Sequence, residues 1–331
     1  MNFIFLRLRS LKIQIHMKKI LGMMLILVAF VACKNDTQLN PDIAAMSVDI
    51  KIDRFDRLFA NTTPAELPDL KSKYPYLFSK QYSDDFWVEK LSDTLQKELE
   101  TEVDVAFKDT DQIEEDLELL YKHIQYYFPK TPVPKVITII TEVRNKVVLA
   151  DTLLLIGLDN YLGEDHYFYD GVQKYKSKNF RKEQIDVDVA SAFAKAKVSR
   201  PQMATFLAQM IYEGKQLYLM ETLLSQKPIH EVFSYTADEY AFAEENEVSM
   251  WEYFVSSKSL YSTDKKLLSR FIDPAPFSKF QLAFDNETPG RLGRYIGYKI
   301  VASYMNKNEI SLQNMLLQDA ETIFNNAKYK P

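Results

Sequence analysis

Cysteine is almost missing from this sequence of 331 residues: Cys33 stands alone. A chain with one thiol forms no intramolecular disulfide, whatever the redox state of its compartment. Histidine is scarce as well, with His16, His123, His166 and His230 making up the set. A helical HExxH zinc site needs two imidazoles four residues apart on one face, with the intervening glutamate reaching the metal-bound water. No two of these histidines have that spacing. Also missing are the G-x-S-x-G elbow, the Gly-rich phosphate loop and the G-x-G-x-x-G fingerprint, which removes the warrant for serine hydrolase, phosphate-loop and dinucleotide chemistry. There is no surplus of basic charge, since 41 Lys and Arg stand against 46 Asp and Glu. Nucleic-acid binding rests on clustered cations that neutralise phosphates, so no nucleic-acid partner is expected. Long apolar runs are lacking too. The run over residues 20–32 has 13 residues, short of the roughly 17 to 25 that a transmembrane helix takes.

The flanks of that run carry information. Lys18 and Lys19 precede it, and FVAC closes it with a small residue, Ala32, ahead of Cys33. A charged segment, a short apolar core and a small residue at the end form a secretory signal. A cysteine directly after the small residue is the place for lipoprotein signal peptidase. Residues 1–33 are therefore expected to be a leader with a lipoprotein signal peptide. Its true start is expected at Met17, because MKK with the apolar core is complete without residues 1–16. An uncleaved membrane anchor is the competing reading. Cys33 becomes the lipidated first residue of the mature chain, and multiple acylation supplies the stable hold that one acyl chain lacks. The leader contains five basic and no acidic side chains, so the exported part has 36 basic against 46 acidic, near −10. Its membrane contact is thus expected through lipidated Cys33 rather than through adhesion to anionic lipid.

Residues 34–48 read as a polar tether, and residues 49–331 as a single compact exported domain with ample length for a core. Val48, Ile50 and Ile52 alternate with Asp49, Lys51 and Asp53, which predicts a strand. Residues 109–128 predict a long amphipathic helix, with Ile113, Leu117, Leu120, Ile124 and Tyr127 on one face and Pro129 as its stop. EEDLE within it, residues 114–118, reads as solvated face and acidic first turn. β-Branched runs over 134–158 predict adjacent strands of a small sheet. Helices are expected over 183–197, 201–223, 236–258, 289–306 and 310–327. The fold class is α+β, predominantly helical, with a small β-sheet in the first half.

PIHEVFSY, residues 228–235, begins like a zinc-peptidase motif with His230 and Glu231, then places Ser234 where the second histidine belongs. His123 lies beside an apolar helix face and reads as a structural imidazole. His166 has Glu164, Asp165 and Asp170 nearby, which allows a weak cation loop or simply solvated acids. Residues 270–305 are the most distinctive. Thr288 is expected to cap a helix whose first residue is Pro289, and Gly290, Gly293 and Gly297 follow at a propensity cost of roughly 1 kcal/mol each. Glycines at that cost make sense where something packs on the backbone. Gly293 and Gly297, four apart, would present one smooth face, and Arg291 and Arg294 would supply donors beside Asp285 and Glu287. A close helix crossing under an ion-pair lid and a partner or ligand groove both fit this pattern.

The leader, the phrase ENEVSMWEYFVSSKSLYSTDKKLLSRFIDPAPFSKF and then DNETPGRLGRYIGYKIVASYM resemble the gliding-motility lipoprotein GldB family of Bacteroidetes, through essentially the whole mature chain. The resemblance implies a cell-envelope lipoprotein required for gliding, lipid-anchored and facing the periplasm. Its implied partners are envelope proteins of the motility and protein-secretion machinery. That family is in turn similar to a group of predicted HExxH metallopeptidases, in which a zinc helix is followed by a helix bearing an acidic third ligand in an EG motif. MIYEGKQLYL keeps that phrase, so Glu213 matches the acidic-ligand position, here vestigial, and Gly214 its glycine. RKEQIDVDVASAFAKAK, where the zinc helix should stand, has no histidine, and Asp186 and Asp188 do not replace two imidazoles and a base. GRLGRYIGYKIV corresponds to the glycine-rich helix of those peptidases. The resemblance thus implies a degenerate zincin-like metallopeptidase scaffold: a pseudoenzyme without catalytic residues, metal or cofactor, used for binding or assembly. The interaction surface expected on it comprises Glu213, Gly214, Asp285, Glu287, Gly290, Arg291, Gly293, Arg294, Gly297 and Tyr298. The alternatives are a weak zinc-dependent peptidase with a non-standard site using His230 or His166, and a periplasmic peptide- or glycan-binding lipoprotein.

Overall fold

A computed structural model describes residues 39–283 and 285–331. The leader, Cys33 and the first part of the tether lie outside the described residues. Within the rest of the tether, Pro41–Ala44 forms a helical turn with Ile43 buried. The sheet has four short strands, β1 (Ile52–Asp53), β2 (Lys135–Ile139), β3 (Val147–Ala150) and β4 (Leu153–Gly157), in the order β1-β2-β4-β3. β1 and β4 run parallel to β2, and β3 returns antiparallel to β4. Val136, Leu154 and Ile156 belong to the main core, whereas Ile137 belongs to a second apolar cluster with Phe55, Phe59, Tyr74 and Leu91. Covering on both faces explains why these strands are apolar at successive positions rather than at alternate ones.

The second cluster is built by α1 (Phe55–Ala60), α2 (Leu67–Lys73) and α3 (Asp84–Ser92). α4 (Thr94–Ala106) starts at Asp93, whose carboxylate accepts from the Gln96 N–H at 2.8 Å, a standard N-cap. α5 (Asp111–Tyr127) buries Ile113, Leu117, Leu120 and Ile124 on the face that its 3.6-residue period predicts. Its acidic side departs from expectation. Glu118 accepts from the Ile50 N–H at 3.1 Å and Glu114 from the Ile52 N–H at 2.9 Å. Val48 and Ile50 are buried as their alternation predicts, but the ladder before Ile52 is replaced by carboxylates, so regular strand is confined to two residues. Buried backbone donors need partners, and a side chain serves as well as a strand.

The second half is helical: α6 (Ile185–Lys197), α7 (Phe206–Leu223), α8 (Ala237–Glu245), α9 (Glu247–Ser256), α10 (Lys266–Phe271), α11 (Leu292–Lys307), α12 (Leu312–Leu317) and α13 (Ala320–Ala327). Three of the predicted helices differ in their bounds. Thr205 caps α7, so residues 201–204 are not helical. The helix expected over 236–258 opens with a capping box between Thr236 and Glu239 and divides at Asn246. The one expected over 310–327 divides before Asp319, which caps α13 by accepting from the Thr322 N–H at 2.8 Å.

The start of α11 is the larger correction. It begins at Leu292, after Arg291 in a left-handed conformation at φ 66°. Thr288 does not cap it: its hydroxyl lies 2.7 Å from the Asp285 carbonyl oxygen and accepts from the Ser278 N–H at 3.2 Å. The cap comes from fourteen residues upstream, where buried Ser278 accepts from the Leu292 N–H at 3.1 Å. Residues 41–331 form one compact unit.

Candidate functional site

α7 and α11 cross at glycines. A Cβ on Gly214 would fall 2.2 Å from both the carbonyl carbon and oxygen of Gly297, and one on Gly297 would fall 1.8 Å from the Met210 carbonyl oxygen. Gly293 faces a different neighbour, with Phe271 O 2.9 Å from where its Cβ would stand. The two α11 glycines therefore receive separate segments instead of forming one smooth face. The crossing sets Glu213, just before Gly214, against Arg294, one turn before Gly297: Arg294 Nε lies 2.8 Å from Glu213 Oε2, with the side chains 9% and 18% exposed. The Arg294 Nε–H is not aligned on the carboxylate and has no hydrogen-bond partner. The contact is thus an ion pair without the directional bond that usually strengthens one.

Arg291 stands one turn earlier. Its Nε donates to the Ile272 carbonyl at 3.2 Å. No carboxylate of the described residues lies within ion-pair distance of it. Burial, and next the Arg294 charge, push its pKa down to about 9, while Glu213, Tyr235 and Asp273 act the other way. Tyr235, whose hydroxyl donates to the Gly290 carbonyl at 2.7 Å, is pushed up chiefly by burial. Gly290 is packed on Ala275, whose carbonyl oxygen would lie 2.1 Å from an added Cβ. Between these residues and the 146–188 region is a cavity of about 280 Å³ lined by Gly290, Arg291, Tyr235, Lys146, Lys178 and Asp188, among others. Lys146 Nζ is 2.9 Å from Asp188 Oδ2, and Lys178 pairs with Glu239. Arg291 and the more exposed Lys176 are the cations of this lining without a counter-charge in contact.

A family model described as Gliding motility protein GldB matches residues 36–331. The chain belongs to the GldB family. That membership makes it a gliding-motility lipoprotein of the cell envelope. No curated protein and no solved structure matches it. Among the described residues of this GldB-family chain, no helix is long and apolar enough to cross a membrane.

The remaining residues singled out in the sequence are dispersed. Asp285 accepts from the backbone N–H groups of Phe280, Gln281 and Leu282 at 3.0, 2.8 and 3.2 Å, and Glu287 is exposed. Neither pairs with Arg291 or Arg294, so the expected ion-pair lid is replaced by the Glu213 contact. Tyr298 donates to Glu221 at 2.8 Å, and burial raises the Glu221 pKa. His123 is held between the Leu119 carbonyl and the Ser225 hydroxyl, both at 2.9 Å, and burial lowers its pKa. His166 Nε2 meets Glu102 at 3.1 Å. His230 lies on the helical turn Ile229–Val232, where Glu231 accepts from Arg181 and Gln184, so the glutamate of PIHEVFSY is a tertiary clamp. Asp186 pairs with Lys227, and Asp188 takes Lys146 and the Tyr161 hydroxyl. Among the described residues, no group of three or more His, Cys, Asp or Glu is placed to hold a metal ion. Sequence reasoning passed over Lys146, Lys178 and Tyr235. The signal available was KYKSKNFRK at 174–182, a basic cluster in an otherwise acidic chain.

Proposed function

We propose that the protein works without catalysis, as a binding or assembly component associated with the gliding and protein-secretion machinery, on a scaffold of metallopeptidase descent whose zinc site has been dismantled. In this reading the signal peptide is removed, Cys33 bears the lipid, and the folded part faces the periplasm with residues 34–48 as spacer. The observation that carries it is the environment of Glu213. At the position that matches an acidic zinc ligand, the carboxylate is in contact with the Arg294 guanidinium, with Arg291 one turn away. Two guanidiniums repel a divalent cation, and a carboxylate already paired in a poorly solvated site has little to offer one. Asp186 and Asp188, the acids on the helix where histidines would be needed, are likewise engaged by lysines.

Metal analysis of protein purified from membranes tests the reading. Zinc well below one equivalent is expected, unchanged in Glu213→Gln; near-equimolar zinc that this substitution abolishes would restore a metallopeptidase. Cys33→Ser is expected to release the protein from the membrane fraction. Crosslinking in intact gliding cells, followed by identification of the captured proteins, tests the assembly role. It fails if the protein is captured with no envelope component while gliding proceeds.

A further inference from the structure

The cavity beside Arg291 has a charge pattern that the assembly role leaves unexplained. Lys146 is neutralised by Asp188 and also donates to the Asn179 carbonyl at 3.2 Å. Lys178 is neutralised by Glu239. Exposed Lys176 lies at the rim, and Arg291 contributes a guanidinium with one nitrogen spent on a backbone carbonyl. Four cations and two anions thus line one cavity, in a chain whose exported part is acidic. Arg291 is half-buried, and a partly desolvated guanidinium without a carboxylate in contact is stabilised when an anion meets it. Asp273 and Glu213 act on Arg291 only at longer range, and Glu213 is committed to Arg294.

We propose that this cavity binds a carboxylate-bearing ligand, seated with its carboxylate on the Arg291 guanidinium between the Lys146 and Lys178 ion pairs. The inference rests on the binding role proposed above and names the chemistry that the surface accepts. A planar guanidinium fork matches the two oxygens of a carboxylate. A phosphate dianion suits the site less well, because Asp188 and Glu239 share the lining and would repel a second negative charge. The volume of about 280 Å³ is at the small end of ligand sites, and the rings of Tyr175, Phe180 and Tyr235 give it apolar walls. A single acidic or aromatic residue with a free carboxylate fits those limits.

The test uses the full-length protein in detergent, titrated calorimetrically with N-acetyltyrosine, N-acetyltyrosinamide and inorganic phosphate. N-acetyltyrosine is expected to bind, with the amide weaker by at least about thirtyfold, since removing the charge leaves the guanidinium unpaired. Arg291→Asn, which keeps a residue that tolerates the left-handed backbone, is expected to lose the preference for carboxylate over amide. Lys176→Glu, at an exposed rim position, should weaken N-acetyltyrosine by about fivefold and leave the amide unchanged. Tighter binding of phosphate than of N-acetyltyrosine, or equal binding of acid and amide, overturns the proposal. If no probe binds, yet Lys176→Glu and Arg291→Asn reduce gliding at normal abundance, the carboxylate assignment falls and the binding role stands. If no probe binds and both variants glide normally, the two fall together.

Discussion

Replacing Gly297 with alanine sets helix propensity against packing, with opposite signs. At an open helical position the exchange stabilises by about 1 kcal/mol. Here the new Cβ would stand 1.8 Å from the Met210 carbonyl oxygen and 2.4 Å from its carbon, both backbone atoms of α7. Carbon and carbonyl oxygen settle no closer than roughly 3.3 Å, so α7 must retreat by roughly 1.5 Å along a helix that is buried over most of its length. Overpacking of this kind costs about 1 to 3 kcal/mol, and a rigid backbone neighbour places it at the upper end. A net loss of about 2 kcal/mol is expected after the propensity gain. The retreat also stretches the 2.8 Å Arg294 to Glu213 contact. Urea unfolding followed by far-UV circular dichroism reads the loss as a midpoint lowered by roughly 0.7 M, taking a slope of about 3 kcal/mol per molar. Gly214→Ala should act alike, and the double variant should lose less than the sum, because one displacement accommodates both methyls. An unchanged or raised midpoint for Gly297→Ala would refute the close crossing.

Lys215, nearly buried and donating to the Leu316 and Gln318 carbonyls, has its pKa lowered to about 8 by burial. Between about 8 and the unfolded value the unfolded chain holds a proton that the native state lacks, so stability should rise with pH, by about 1.5 kcal/mol from pH 8 to 9.5; Lys215→Met should flatten that rise in urea titrations. Above pH 10 the sign reverses, because buried tyrosines such as Tyr121, raised by burial, stay protonated only in the fold. Glu213→Gln leaves the Arg294 guanidinium buried without its partner and should cost about 3 kcal/mol, whereas Glu213→Gln with Arg294→Met should recover much of it; a cycle showing simple additivity would contradict the pairing. Asp285→Ala frees three backbone N–H groups, and faster limited proteolysis over residues 279–289 is the expected sign, with Asp285→Asn intermediate.

What was legible in the amino-acid sequence was whatever local periodicity decides. The apolar face of α5, the sheet between residues 134 and 158 and the helical second half follow from spacings of 3.6 and 2 and from β-branched runs, which act within a few residues. Bounds were less legible where polar groups from elsewhere intervene. Glu114 and Glu118 satisfy backbone donors that a strand would otherwise serve, and Ser278 caps the helix whose start local sequence assigns to Thr288 and Pro289. The cost of Gly290, Gly293 and Gly297 could be read along the chain, but not what each meets. Ala275, Phe271 and Met210 are supplied by three different segments. The site is further still from local reading. Glu213 meets Arg294 only because Gly214 and Gly297 let two helices touch, and Arg291 beside them has no carboxylate in contact. By itself the sequence determined the fold class, the helix faces and the positions of the costly glycines. Only the tertiary structure decided which charges are paired and which are left over, since pairing depends on distances across segments that sequence separation does not encode.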